Sequence, residues 1–151
     1  MTNDANTLIA VDSLVANEFE VQLEGQKVLG VFRVSGLTPF KLNVLNPGAS
    51  LAVHEPFQLA KMVQRDANSP FNKWLRETVA HRTSSNRPKR TLSIVAIDDG
   101  LETRRWTAKG AYITGVTYSS FDSGSSEMVE EVITIHYEDI EESWPATTTL
   151  D

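Results

Sequence analysis

"RTLSIVAIDDGLETRRWTAKGAYITGVTYS", residues 90–119, decides the fold class. From Arg90 to Ile97, Leu92, Ile94 and Ala96 fall on one face, the period-two pattern of a half-buried strand. Asp98-Asp99-Gly100 is hairpin-turn chemistry, since Asp and Gly accept the positive φ of a tight turn. Glu102 to Ala108 returns from that turn. Lys109-Gly110 reads as a break, after which Ala111 to Ser119 forms a further strand. Strand follows strand with no helix between them, so the pairing is antiparallel.

The flanking sequence extends the pattern. "SSFDSGSS" (119–126) is a flexible loop. Beyond it Val129, Glu131, Ile133, Ile135 and Tyr137 alternate with Glu130, Val132, Thr134 and His136 in a final strand. Upstream, Phe19, Val21 and Leu23 face one way and Glu18, Glu20 and Gln22 the other. Glu24-Gly25-Gln26 turns the chain into a second strand, Val28 to Val34, apolar on both faces apart from Arg33 and so expected near the centre of its sheet. Phe40, Leu42 and Val44 alternate with Lys41 and Asn43. "NPGAS" (46–50) is a turn, and Leu51 to His54 with Phe57 to Val63 reads as the returning strand, interrupted by Pro56 at an edge or bulge. Residues 40–63 thus form a second, irregular hairpin.

One helix is predicted. Ser69 is its N-cap and Pro70 its first residue. Phe71, Trp74, Leu75, Thr78 and Val79 make one apolar stripe, and the helix ends near His81. Seven or eight strands, one helix, no βαβ rhythm and no repeat define a mainly β protein, an antiparallel β-barrel or sandwich with one packed helix. Residues 1–16 read as an N-terminal arm, 17–142 as a single domain and 143–151 as a flexible tail.

Composition limits the chemistry. The 151 residues are 40% hydrophobic and 23% charged, as in ordinary globular domains, and contain no cysteine. A disulfide framework, a thiolate nucleophile and Cys-ligated metal are excluded. No apolar run approaches a membrane span, and residues 1–19 lack the basic-then-apolar order of a signal peptide, which predicts folding in a cytoplasm. His54, His81 and His136 lie in neither HxH nor HExxH spacing. No GxSxG elbow and no phosphate loop occurs, and Asp98-Asp99 suits a hairpin tip on geometric grounds alone. No catalytic residue, metal ligand or cofactor site is expected. "RPKRTL" (87–92) and "RRW" (104–106) are basic, but Arg and Lys framing strands keep edges from pairing with strangers. An acidic chain is a poor dedicated nucleic-acid binder.

The net charge of −6 is unevenly spread. Residues 51–110 hold 11 Lys/Arg against 6 Asp/Glu, whereas residues 111–151 hold 9 Asp/Glu and no Lys or Arg. Such a chain neutralises itself within one fold or pairs head-to-tail between copies. Many strand edges, segregated charge and no site describe a self-assembling building block, in which edges become joints between identical copies. The competing reading is a monomeric β-barrel that binds a small ligand or protein partner, with Trp106, Tyr112 and Tyr118 lining its pocket.

The order of motifs resembles the tail tube proteins of contractile-tailed phages and the related inner tubes of contractile injection systems. A hairpin ends in "VSGL" (34–37). "FNKWLRETV" (71–79), "SIVAIDDGLETRRWTAKGAYITGV" (93–116) and the Glu-rich "SSEMVEEVITIHYEDIE" (125–141) follow in the family's order, from about residue 17 to 142. The stretch "LNPGASLAVHEPFQLAKMVQRDANS" (45–69) keeps a PG but lacks the family's Tyr/Arg/Gly-rich segment, a departure that suits a baseplate-proximal or terminator tube protein.

The resemblance implies hexameric rings stacked into a tube, a conduit for DNA or protein cargo. It implies as partners further copies of the chain, a contractile sheath, baseplate and tape-measure or terminator proteins and transient DNA or effector cargo, without membrane insertion. The location implied is a virion tail or an injection-system particle assembled in the bacterial cytoplasm. Lys41, Asn43, Leu51, Val53 and His54 become candidates for contact between rings. Glu130, Glu131 and Glu138 become candidates for the lumen lining, and Phe71, Trp74 and Leu75 for a helix at subunit boundaries.

Overall fold

A computed structural model describes residues 18–145; the expected arm (1–16) and residues 146–151 of the expected tail (143–151) lie outside the described residues. Within them are ten strands and one helix. The hairpin that opened the sequence reading forms as β7 (Arg90–Asp98) and β8 (Leu101–Tyr118), with Asp99 and Gly100 at φ 50° and 79°. The break expected at Lys109-Gly110 is absent. β8 runs unbroken for 18 residues and bends instead, because Gly110 adopts φ 60° at little cost.

That bend lets β8 serve two sheets. Its first half pairs with β7 (Ser93 opposite Thr107) and with β10 (Asp139–Ser143; Glu141 opposite Thr107). Its second half pairs with β9 (Glu130–His136; Ile113 opposite Ile135). Sheet A therefore has the order β2-β1-β7-β8-β10, with β1 at Phe19–Leu23 and β2 at Gln26–Lys27. Sheet B runs β8-β9-β6-β3, with β6 at Phe57–Met62 and β3 at Val31–Ser35. Every pairing is antiparallel.

The sheets share one hydrophobic cluster. Val21, Leu23, Leu92 and Ile94 enter it from sheet A, Phe57, Leu59, Ile133 and Ile135 from sheet B, and Ala108, Ala111 and Ile113 from β8. Burial of each large aliphatic or aromatic side chain contributes about 1.5–3 kcal/mol. Helix α1 (Pro70–Ala80) closes the cluster with Phe71 and Trp74. Ser69 caps it as expected, its Oγ accepting from the Asn72 N–H at 3.3 Å. Trp74 Nε1 donates to the Pro88 carbonyl at 2.9 Å, tying the helix to the 82–89 loop. No helix among the described residues is long and apolar enough to cross a membrane.

Three expectations about strands need correction. The hairpin partner of β1 is the two-residue β2, and the long pairing of β1 is with β7; Gly30, at φ 85°, then turns the chain into the other sheet. There, among the described residues, Val31–Ser35 pairs with β6 alone, so it is an edge strand of the sheet and not a central one. Its two-sided apolar character reflects exposure of Leu29 and Phe32. Next, residues 40–63 are not one hairpin. β4 (Leu42–Asn46) and β5 (Ala49–Ala52) form a separate two-stranded ribbon, and β6 is an interior strand between β3 and β9. Finally, β10 extends the chain past the last expected strand.

The segregated charge is neutralised partly within the fold. Lys61–Glu131, Lys89–Glu138 and Lys109–Glu141 each join the basic middle to the acidic end. Glu77 pairs with Arg90 across the chain.

Candidate assembly surfaces

Among the described residues sheet B has two unpaired edges. There β3 pairs only with β6, and β8 beyond Ala111 pairs only with β9, so within the described residues each leaves backbone groups on its outer side without a strand partner. Beside the β8 edge runs a groove of about 340 Å³ whose lining includes Leu75, Val79, Arg82, Arg87, Ile113 and Val116.

The face of sheet B turned away from the core follows from alternation along each strand. Ile133 and Ile135 are buried, so Glu130, Val132, Thr134 and His136 point outward. Opposite them lie Met62, Ala60 and Gln58, and beyond Ala60 lies Arg33 of β3. Gln58 Nε2 donates to Thr134 Oγ1 at 3.4 Å, and the His136 ring stacks on Tyr112 with centroids 5.7 Å apart. Across its four strands this face carries one Arg, one Glu and one His amid Gln58, Thr134 and the uncharged Ala60, Met62, Val132 and Tyr112.

The β4–β5 ribbon is a third surface. It is held at its base: Lys41 Nζ pairs with Glu55 at 2.9 Å, the Val53 N–H donates to the Lys41 carbonyl at 2.9 Å, and the Tyr137 hydroxyl donates to the Thr38 carbonyl at 3.3 Å. The His54 ring stands edge-on to Tyr137 at 5.5 Å. Burial, and then the charge of Glu55, raise the Tyr137 pKa above the usual phenol value. Beyond that base the ribbon buries almost nothing; Leu42, Val44, Leu45 and Leu51 are exposed. A lone two-stranded ribbon is marginal in water, so its apolar surface implies a covering partner.

The candidate residues therefore separate. Lys41, Asn43, Leu51, Val53 and His54 all lie on the ribbon or its base. Glu130 lies on the outward face of sheet B. Glu131 does not: it is in phase with Ile133 and Ile135, 3% exposed, and bonded to the buried Lys61. Glu138 sits in the β9–β10 connection, paired with Lys89 and off that face. Phe71 and Trp74, 1% and 0% exposed, fill the chain's own core and offer nothing to a neighbour; of the three helix candidates only Leu75 reaches the outer groove. The first two share the stripe because one helical face must cover the core before any other surface.

Trp106, Tyr112 and Tyr118 do not gather into a pocket. Trp106 Nε1 donates to Glu142 at 2.6 Å on sheet A, Tyr112 stacks on His136, and the groove beside α1 contains none of the three. Among the described residues no cluster of His, Asp and Glu is placed to hold a metal ion.

Free edges on one sheet, an unpartnered ribbon and a weakly charged outer face define a structural subunit built for contact with copies of itself. The profile of the T4-like virus tail tube protein gp19 family matches residues 47–141, and the chain belongs to that family. It is a structural tube protein, not an enzyme.

No curated protein matches the sequence. Solved structures share the fold. A chain in the sheath-tube complex of an extracellular contractile injection system (PVC) in its extended state is 19% identical with a TM-score of 0.68, covering 95% of this chain and 99% of that one. A chain in the tube-terminating cap of the anti-feeding prophage is 17% identical with a TM-score of 0.71, over 87% and 91%. One in the 6-fold symmetrised baseplate of that particle is 17% identical with a TM-score of 0.64, over 87% and 96%.

Proposed function

We propose that six copies of this chain close into a ring through sheet B, and that the rings stack as the inner tube of a contractile phage tail or injection system. The observation that carries this reading is the pair of edges, unpaired among the described residues, on opposite sides of one four-stranded sheet in a chain of the tail-tube family. The β3 edge of one copy pairs with the β8 edge, residues 112–118, of the next, so backbone groups left free in the monomer are satisfied around the ring. The number six rests on the symmetry of the baseplate structure that shares this fold. Each contact need contribute only a few kcal/mol, since closing the ring and stacking the rings multiplies it.

In such a ring the outward face of sheet B lines the lumen, with Glu130 as its carboxylate, Arg33 as its cation and His136 at the far end of β9. Fixed charge is close to balanced there, so a phosphate-bearing or polypeptide cargo slides without being held by counterion release. The ribbon carrying Lys41, Asn43, Leu51, Val53 and His54 supplies the contact between rings, and Leu75 with its groove lies at the subunit boundary. A contractile sheath surrounds the tube, and baseplate and terminator proteins occupy its ends, as the particles of the structural neighbours suggest. The subunit is a particle component, assembled in the bacterial cytoplasm.

Sedimentation velocity of the purified chain tests the ring. A species of about six times the 16.8 kDa chain, growing to larger assemblies with concentration, is expected. A monomer at every concentration, unchanged when a baseplate initiator is supplied, would overturn it.

A further inference from the structure

Both edges of sheet B carry a β-bulge. On β3 the pairing with β6 slips between Val31 and Arg33, and on β8 the pairing with β9 slips between Ile113 and Gly115. Val31 and Val34 pack against the core cluster; Ile113 belongs to it and Val116 packs against it. Between the inward residues of each strand stand two others, Phe32 and Arg33 on β3, Thr114 and Gly115 on β8, where strict alternation allows one. The Arg33 guanidinium lies 5.3 Å from the Phe32 ring centroid, as befits two side chains on the same side of the strand. Phe32 is 37% exposed.

Gly115 finds no explanation among the described residues. Its φ is not in the positive region, and a Cβ built on it would meet Thr134 at 3.8 Å, an ordinary van der Waals distance. Backbone conformation and internal packing therefore both admit a side chain at this edge position. A glycine within a strand also marks a place where another group comes close to the backbone.

We infer that the two bulges face each other across the joint between neighbouring copies, and that Phe32 of one copy lies over Gly115 of the next. β8, β9, β6 and β3 alternate in direction, so β3 runs opposite to β8 and the joint is antiparallel. Val34-Arg33-Phe32-Val31 and Ile113-Thr114-Gly115-Val116 then match position for position, inward opposite inward and outward opposite outward. Ser35 opposite Tyr112 extends the match. The unstaggered register does less well. With Ser35 opposite Gly115, Val34–Val116 and Arg33–Thr117 stay in phase, but each bulge then faces regular strand, and a one-residue slip turns side chains to the wrong face. An aromatic ring set across from an edge glycine covers the bare backbone there.

The opposed register also supplies an offset. Within one copy the row from Gly115 runs through Thr134 and Gln58 to Ser35, whereas across the joint Gly115 meets Phe32. A sheet closes into a barrel only with such a stagger. The inference rests on the ring reading and names the register, and the residues that key it, which that reading leaves open.

Because the chain has no cysteine, disulfide trapping reads the register. Arg33→Cys/Thr114→Cys, oxidised with copper–phenanthroline at a concentration that gives assemblies, is expected to yield a ladder of linked chains on non-reducing denaturing gels. Ser35→Cys/Gly115→Cys, which reports the unstaggered register, is expected to yield none. Gly115→Val is expected to keep the parental urea midpoint and to lose the ring in sedimentation, because its branched side chain takes the space of Phe32. Rings of the first variant without a ladder, a ladder from the second, or Gly115→Val closing rings like the parent would overturn the register and leave the ring standing. A lowered urea midpoint for Gly115→Val would place the need for glycine inside the chain and count against the Phe32 contact. A parent chain that stays monomeric with a baseplate initiator present would overturn the ring, and the register with it.

Discussion

Lys61 Nζ lies 2.9 Å from Glu131 Oε1, with both side chains withdrawn from solvent beneath helix α1. The ammonium also donates to the Met62 carbonyl at 3.1 Å and faces the Phe71 ring at 5.1 Å. The pair ties β6 to β9, and its geometry offsets the desolvation of both charges. Removing one partner strands the other. Lys61→Met is expected to cost about 3–5 kcal/mol in urea unfolding, while Lys61→Met/Glu131→Leu loses much less than either single change. A double variant as unstable as the sum of its parts would show that the charges are not coupled.

Gly110 sets the bend by which β8 passes from one sheet to the other. A Cβ there would sit 2.6 Å from Glu138 Cδ, but that exposed side chain can swing away. The φ of 60° remains. Gly110→Ala is therefore expected to lower stability by about 1–2 kcal/mol, and Glu138→Ala in the same chain should not restore it. Full rescue by Glu138→Ala would place the cost in the clash rather than in the backbone.

Glu102 gives a pH signature. Hydrogen bonds from the Arg105 guanidinium, at 2.7 and 2.9 Å, hold its carboxyl below the usual carboxylate pKa against partial burial, with the Arg105 charge adding to them. The folded form thus binds this proton more weakly than the unfolded chain. The stabilisation is present above the unfolded carboxylate pKa of about 4.3 and is lost as pH falls through the lower folded value. Glu102→Gln should be less stable than the parent at neutral pH, and the gap should close in acid. Urea midpoints measured from neutral pH into acid read this out; a constant gap would contradict it.

Glu130 and Glu131 are adjacent in sequence yet face opposite sides of β9. Glu130→Lys is expected to fold and assemble but to slow cargo passage in particles built from it. Glu131→Lys puts a second cation against Lys61 and should fail to fold. Delivery at the parental rate by Glu130→Lys particles would contradict the lumen assignment.

The legible parts of the fold were those written locally. Ser69, Pro70 and the Phe71/Trp74/Leu75 stripe encode a helix in a dozen residues, and Asp99-Gly100 encodes a turn in two. The strand destinations were not local. Nothing near Val31 says that β3 crosses to sheet B, since that depends on Gly30 turning the chain and on β6, some thirty residues away, offering an edge. β10 was hidden by composition: in "DIEES" Ile140 alone is apolar, and the strand is stabilised by pairing with β8 and by Glu141 and Glu142 meeting Lys109 and Trp106. The inward face of Glu131 was visible in its phase with Ile133 and Ile135. The charge drew the residue to the lumen; its register put it in the core, where Lys61 receives it.

Negative-stain electron microscopy of the purified chain across a concentration series tests the central claim most directly. The account predicts rings with a central hole that stack end to end into tubes as concentration rises, or once an initiating baseplate component is added. Dispersed single particles that stay single with that component present would contradict it.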